Sequence, residues 1–388
     1  MVMVITKVIN KKWILFVLCI SIIISLRIPM NRHNSSFDFP IPFDEPQDDY
    51  LPSLYLEDTS VSEIGLEYDF YRQSCPQAES IVRSYMARIF SDQNDVSAGL
   101  LRLFFHDCFI EGCDASVLLD DSNGNQNHAI ERQAIPNRSL RGFDKIDMIK
   151  EELEKACPGI VSCSDILALA TRDGIVLAGG PFYPVFTGRR DSLQSFFREA
   201  AAQIPRPSDN ISQILNLFSL RGFDERDTVS LLGGHNIGKI GCQFIQDRIH
   251  NFSGTGLPDP SLASDFRNEI INTCENDKNS STDGSLFSMR SRRADAFSQG
   301  LSSSMSLGAG LDSHYFQGLL KGRGLLFSDQ QLMADDRTAS LVRAYASDDG
   351  STFRFDFSRA MVKMSNLGVL TDSQGEVRTF CSLPVHNS

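Results

Sequence analysis

Along most of the chain, apolar positions recur at helical rather than alternating spacing. After Pro76, the residues Ile81, Val82, Tyr85, Met86, Ile89 and Phe90 fall three or four apart, which predicts a helix with one buried face. Leu100, Leu101, Leu103, Phe104 and Phe105 predict a more thoroughly apolar helix running into His106. Phe143, Ile146, Ile149 and Leu153 mark another, stopped by Cys157-Pro158-Gly159, and Ser164 to Leu177 form a further one, ended by Gly179-Gly180-Pro181. Phe353 to Met364 reads as the last helix, with Gly368 beyond it. Strands are scarce, and only Phe182 to Thr187 reads as a short one. Between Cys274 and Asp312 the chain is rich in Ser, Asn and Gly and reads as a loop. With no internal repeat, the class is mainly α with very little β.

The first residues follow a different pattern. Lys7, Lys11 and Lys12 precede an apolar run from Trp13 to Leu26, the arrangement of a signal-peptide core, so residues 1–30 are expected to be a signal peptide or a signal anchor. The run is shorter than the ~20 residues of a membrane span, but no A-x-A cleavage site follows it, so membrane anchoring stays open as the alternative to secretion. From Asp38 to Glu67 nine carboxylates are scattered among prolines, which predicts an extended acidic linker over 31–66. A globular domain over 67–384 and a short tail over 385–388 complete the division.

Charge and cysteines narrow the function classes. A net charge of −12 argues against nucleic acid as a partner, since phosphate binding needs a basic surface. Of nine cysteines, Cys19 lies within the signal run, and removing it leaves an even set of eight. In an exported chain these are expected to form disulfides. Sequence alone suggests only the short Cys108/Cys113 loop and leaves the other pairings open.

The chemistry is concentrated between Leu100 and Ser116. Arg102 and His106 stand four apart among apolar neighbours, so a helix projects a cation and a titratable base from one face. Burying such a pair without purpose is costly. Behind them, Cys108 and Cys113 frame a loop in which Asp107, Asp114 and the Ser116 hydroxyl offer hard oxygen ligands suited to calcium. Asp329, following Ser328 ahead of a helix-like run, reads by itself as a helix cap. No C-x-x-C-H is present, so covalent c-type haem attachment is not expected.

From Leu100 to Ser116 the chain resembles the distal haem helix and calcium loop of the secretory plant (class III) haem peroxidases. Gly233-Gly234-His235-Asn236-Ile237-Gly238-Lys239 resembles that family's proximal signature. Ser139–Phe143, Gly188–Ser192 and Gly324–Gln330 match further blocks in the family order, and the likeness extends from about Leu66 to Pro384. It implies a two-lobed helical fold with one non-covalent haem b between the lobes. It also implies a secreted, cell-wall enzyme, expected as a monomer, that reduces hydrogen peroxide while oxidising small phenolic donors by one-electron steps. His235 would be the iron ligand and Asp329 the carboxylate behind it. His106 would be the acid/base, Arg102 the transition-state stabiliser and Asn137 the acceptor that fixes the His106 tautomer. Pro205 would line the donor site.

The same resemblance implies the pairs Cys75/Cys157, Cys108/Cys113, Cys163/Cys381 and Cys242/Cys274. It gives a distal calcium site formed by Asp107, Ile110, Gly112, Asp114, Ser116 and, through water, Glu131. Its proximal calcium set falls on Asn236, Ser304, Leu307 and Asp312, where the usual Thr and Asp are missing, so one firm calcium and a weak or empty second site are expected. Compared with the family, residues about 280–303 are an insertion. Sequons at Asn34, Asn210, Asn251 and Asn279 are glycosylation candidates, whereas a buried role excludes Asn137. Two rivals remain at this stage. In one, His106, Cys108, Cys113 and His235 hold zinc; in the other, the chain binds haem but serves as an inert scaffold.

Overall fold

The structure is a computed structural model that describes residues 65–120, 129–279, 296–298 and 310–385. The signal segment, nearly all of the acidic linker, most of the insertion, Asn34, Ser304 and Leu307 lie outside the described residues. The described part is mainly helical. Its first half holds α1 (Ala78–Asp92), α2 (Val96–Cys108), α3 (Phe143–Ala156), α4 (Cys163–Leu177), α5 (Phe197–Gln203) and α6 (Ile211–Ser219). Its second half holds α7 (Glu225–Leu232), α8 (Gln246–His250), α9 (Ser264–Asn279), α10 (His314–Leu320), α11 (Phe327–Gln330), α12 (Asp336–Ser347) and α13 (Ser351–Ser365).

The central element is α4. Every residue from Cys163 to Ile175 is buried, and the helix packs against α1, α2 and α3. Its first turn would leave backbone N–H groups unpaired in the interior. The Ser162 hydroxyl accepts from Asp165 N–H at 3.1 Å, and the Asp191 carboxylate accepts from Cys163 and Ser164 N–H at 3.1 and 2.9 Å. This explains the Gly188–Ser192 block: Arg189 forms a fully buried pair with Asp165 at 2.7 Å and donates to the Ser365 carbonyl at the end of α13. One large apolar cluster runs from α1–α4 through Phe316, Phe353 and Phe357, and a smaller one surrounds Cys242, Ile249, Phe266 and Cys274.

All four disulfides implied by the family resemblance are present, and Cys163–Cys381 joins positions 218 residues apart. Two expectations need correction. Phe182–Thr187 is not a strand: only Thr187 exchanges backbone bonds with Glu67, at 2.9 and 3.0 Å, because Pro181 and Pro184 leave that stretch short of donors. The interval after Cys274 is not all loop. Helix α9 continues to Asn279, and Ala296–Ser298 (β2) pairs antiparallel with Lys239–Gly241 (β1). Leu66 is buried at 2% exposure, so the folded unit reaches into the end of the expected linker.

Candidate active site

Two short stretches of backbone present the candidate site residues. On the first, the apolar stripe of α2 buries Leu100, Leu103 and Phe104 and carries His106 into the interior at 4% exposure. The Asn137 carboxamide oxygen lies 2.6 Å from His106 Nδ1, and the Asn137 amide donates to the Glu131 carbonyl at 2.9 Å. A neutral imidazole held this way carries its proton on Nδ1, which leaves Nε2 able to accept one. Burial, reinforced by the Arg102 charge, pulls the His106 pKa down to about 3, against the opposing Asn137 bond. His106 is therefore an unprotonated base at neutral pH.

One turn earlier, the Arg102 guanidinium donates to Ser139 Oγ at 3.1 Å and to the Pro136 carbonyl at 2.8 Å. It is open to solvent on one side and walled by protein on the others. That enclosure and the charge of Arg141 lower its pKa to about 10, which keeps it cationic. The loop from Glu131 to Ser139 thus fixes both side chains. Pro136 and Ser139 are partners that sequence reading missed, although Ser139 opens a family-like block.

The second stretch, the 3-10 turn Gly233–Asn236 at the end of α7, presents His235. Gly233 is required there, since a Cβ would come within 2.3 Å of Phe353, and a Cβ on Gly234 would come within 3.2 Å of Leu101 of α2. His235 Nδ1 lies 2.8 Å from Asp329 Oδ1, and the same oxygen accepts from the Tyr315 hydroxyl at 3.0 Å. Asp329 is not itself the N-cap: it is the third residue of α11, whose cap is Leu326, and its Oδ2 accepts from Leu326 N–H at 2.9 Å, so one carboxylate both closes the helix start and holds the histidine. Burial pushes Asp329 up, but the His235 charge and these hydrogen bonds outweigh it and hold the carboxyl below its usual range. The His235 side chain is 44% exposed while Asp329 is fully buried. Its ring is thus anchored through Nδ1 and open on the Nε2 edge, the donor and geometry that an axial haem ligand needs.

Part of the expected distal cation set, the carboxyls of Asp107, Asp114 and Glu131, lies buried within electrostatic reach of one another. Glu111, Gly112 and Ala115 take φ of 59°, 123° and 58°, which coils the loop tightly, and a Cβ on Gly112 would overlap the Gly368 carbonyl. Asp107, Asp114, Ser116 and Glu131 are all buried, and the Ser116 hydroxyl and Glu131 Oε2 have no hydrogen-bond partner among the described residues. Burial raises the Glu131 pKa to about 8 and that of Asp114 to about 6, while burial and both neighbouring carboxylates raise Asp107. Orphaned oxygens among crowded carboxyls fit a hard cation. Among the described residues no group of three or more His, Cys, Asp or Glu side chains is arranged to hold a metal ion by itself.

Of the expected proximal set, only Asn236 and Asp312 fall within the described residues. Asn236 Nδ2 donates to the Asp312 carbonyl, and the Asp312 carboxylate accepts both the backbone and ring N–H of His314. The Asn236 Oδ1 atom, by contrast, is buried with no hydrogen-bond partner among the described residues. Pro205 is half-buried in the turn after α5. Asn210 and Asn251 are exposed, whereas Asn137 is 2% exposed, which removes its sequon from consideration. The Asn279 side chain is not described. Cys108 and Cys113 are bonded to each other, so the zinc alternative loses both thiolates.

The peroxidase family model matches residues 82–348. An Arabidopsis thaliana protein named "Putative Peroxidase 48" is 44% identical over 359 residues, covering 88% of this chain and 87% of that one. Arabidopsis Peroxidase 10 is 42% identical, with 82% and 87% covered, and Peroxidase 57 is 42% identical, with 81% and 91% covered. The family match spans most of the folded residues and the relatives most of the chain, and the chain belongs to the plant class III haem peroxidase family.

Proposed function

We propose that His106, Arg102 and Asn137 carry the peroxide chemistry of this haem peroxidase and that His235, backed by Asp329, holds its iron. Family membership makes the protein a peroxidase acting on hydrogen peroxide with a haem cofactor. The observation that supports the residue assignment is the matched pair of imidazoles. Each is fixed at Nδ1, one by a neutral amide and one by a buried carboxylate, and they therefore differ in duty.

When bound, the haem supplies an iron centre that accepts electrons from donors and delivers them to peroxide. His106 Nε2 takes the proton from the inner oxygen of hydrogen peroxide and returns it to the outer one, so that water leaves. Arg102, cationic and tethered to Ser139 and Pro136, faces the negative charge that develops as the O–O bond lengthens. Asn137 keeps the Nδ1 proton on His106 through the cycle. Asp329 draws on the Nδ1 proton of His235 and strengthens its Nε2 as a donor.

The donors are small phenols reaching an exposed edge near Pro205, the protein is extracellular, and the Asp107–Glu131 cluster holds one calcium. Domain limits of 1–30, 31–66 and 67–384 complete this reading. The decisive measurement is an absorption spectrum of the haem-loaded protein before and after peroxide, by stopped flow. A Soret band that shifts on mixing, with His106→Leu slowing the shift by orders of magnitude, is expected. A folded protein that stays colourless with added haem would sink the proposal, and a coloured protein unchanged by peroxide would favour the inert scaffold.

A further inference from the structure

We infer that Tyr315 is a positioning residue that sets how strongly the His235–Asp329 pair donates electrons to the iron. The inference deepens the proposed function and rests on His235 being the axial ligand.

Tyr315 lies on α10 at 6% exposure, and its hydroxyl donates to Asp329 Oδ1 at 3.0 Å. His235 Nδ1 lies 2.8 Å from that same oxygen. Two donors therefore converge on one atom of a carboxylate that is wholly buried. Hydrogen bonds to an ionised group in a dry interior are strong, and each one draws off part of the charge available to the others. Donation from Tyr315 leaves Asp329 Oδ1 a weaker acceptor for the imidazole proton. The imidazole then keeps less imidazolate character, and its Nε2 is a weaker electron donor. The ring is fixed by packing that does not depend on the hydroxyl, edge-on to Phe316 with centroids 5.0 Å apart and edge-on to His235 at 6.5 Å. Geometry and charge are thus separable: removing the oxygen leaves the aromatic body where it was.

The test uses the holoenzyme. Tyr315→Phe should move the ferric/ferrous midpoint potential in the negative direction and raise the iron–imidazole stretching frequency of the ferrous form. Biosynthetic replacement of tyrosine by 3-fluorotyrosine, a better hydrogen-bond donor, should move both in the opposite directions. In an Asp329→Asn background, Tyr315→Phe should add no further shift. A merely structural role for the hydroxyl would not reverse sign between the two substitutions. An unchanged potential, a positive shift in Tyr315→Phe, or shifts of the same sign for both changes overturn the inference. If Tyr315→Phe does not fold, the sign of the fluorotyrosine shift decides. Should the unaltered holoenzyme lack an iron–imidazole band, the assignment of His235 falls first, and this inference with it.

Discussion

Asn137→Leu keeps the branched shape of the side chain and deletes both of its polar contacts, the 2.6 Å link to His106 Nδ1 and the 2.9 Å bond to the Glu131 carbonyl. All three groups are buried. A buried group left unpaired costs about 1–3 kcal/mol, so the native tautomer of His106 loses a preference of that size. If the proton moves to Nε2, the base is blocked. A preference of about 1–3 kcal/mol transferred into the activation barrier corresponds to about 5- to 150-fold in rate. The assay is the second-order rate constant for hydrogen peroxide by stopped flow at pH 7, with a urea titration in parallel to separate the loss of stability from the loss of rate. Asn137→Asp supplies a control of opposite character. It keeps an acceptor and adds a charge that favours imidazolium, so the His106 pKa should rise from about 3 and the acid limb of the rate profile should move to higher pH. The stability sign is also fixed. The native pKa lies below the usual histidine value near 6.5, so the unfolded chain takes a proton that the native chain refuses, and this site costs stability as pH falls from about 6.5 towards 3. A folded Asn137→Leu protein reacting with peroxide within twofold of the unchanged rate would refute the reasoning.

Metal analysis of the folded protein should find one tightly held calcium per chain, because Asp107, Asp114 and Glu131 supply three buried carboxylates at the first site while the second has Ser304 and Leu307 where an Asp and a Thr are expected; two tightly held ions would reject this. Chelation should lower both the urea midpoint and the peroxide rate, since the Glu131 carbonyl anchors Asn137, which anchors His106. Replacing Cys163 and Cys381 together by Ser opens a 218-residue loop. By the loop-entropy estimate that costs about 5 kcal/mol, measurable as a fall in the urea midpoint; a loss below about 1 kcal/mol would contradict it.

The local devices were legible along the chain. The spacing of Arg102 and His106 on an apolar helix follows from the period of an α-helix and needs no tertiary contact. So do the helix stops at Cys157-Pro158-Gly159 and at Gly179-Gly180, where no side chain can continue the pattern. The tight Cys108–Cys113 loop and its oxygen donors are likewise close neighbours in sequence. Phe182–Thr187 misled because its apolar pattern fits a strand, while its prolines withhold the hydrogen bonds a sheet requires.

Contacts between distant segments were decided only by the fold. Asp329 read alone is a helix cap, and it becomes the partner of His235, 94 positions earlier, only because α10 and α11 bring it under the Gly233–Asn236 turn. Tyr315 carries no sequence signal at all, since any buried tyrosine on an apolar face would look the same until its hydroxyl meets a carboxylate. The anchoring of Arg102 by Ser139 and Pro136 depends equally on a loop 34 and 37 residues away. Periodicity determines which face of an element is buried, because it is a property of neighbouring residues. Which buried polar groups meet is a property of packing, and there the cost of leaving any of them unpaired selects the arrangement.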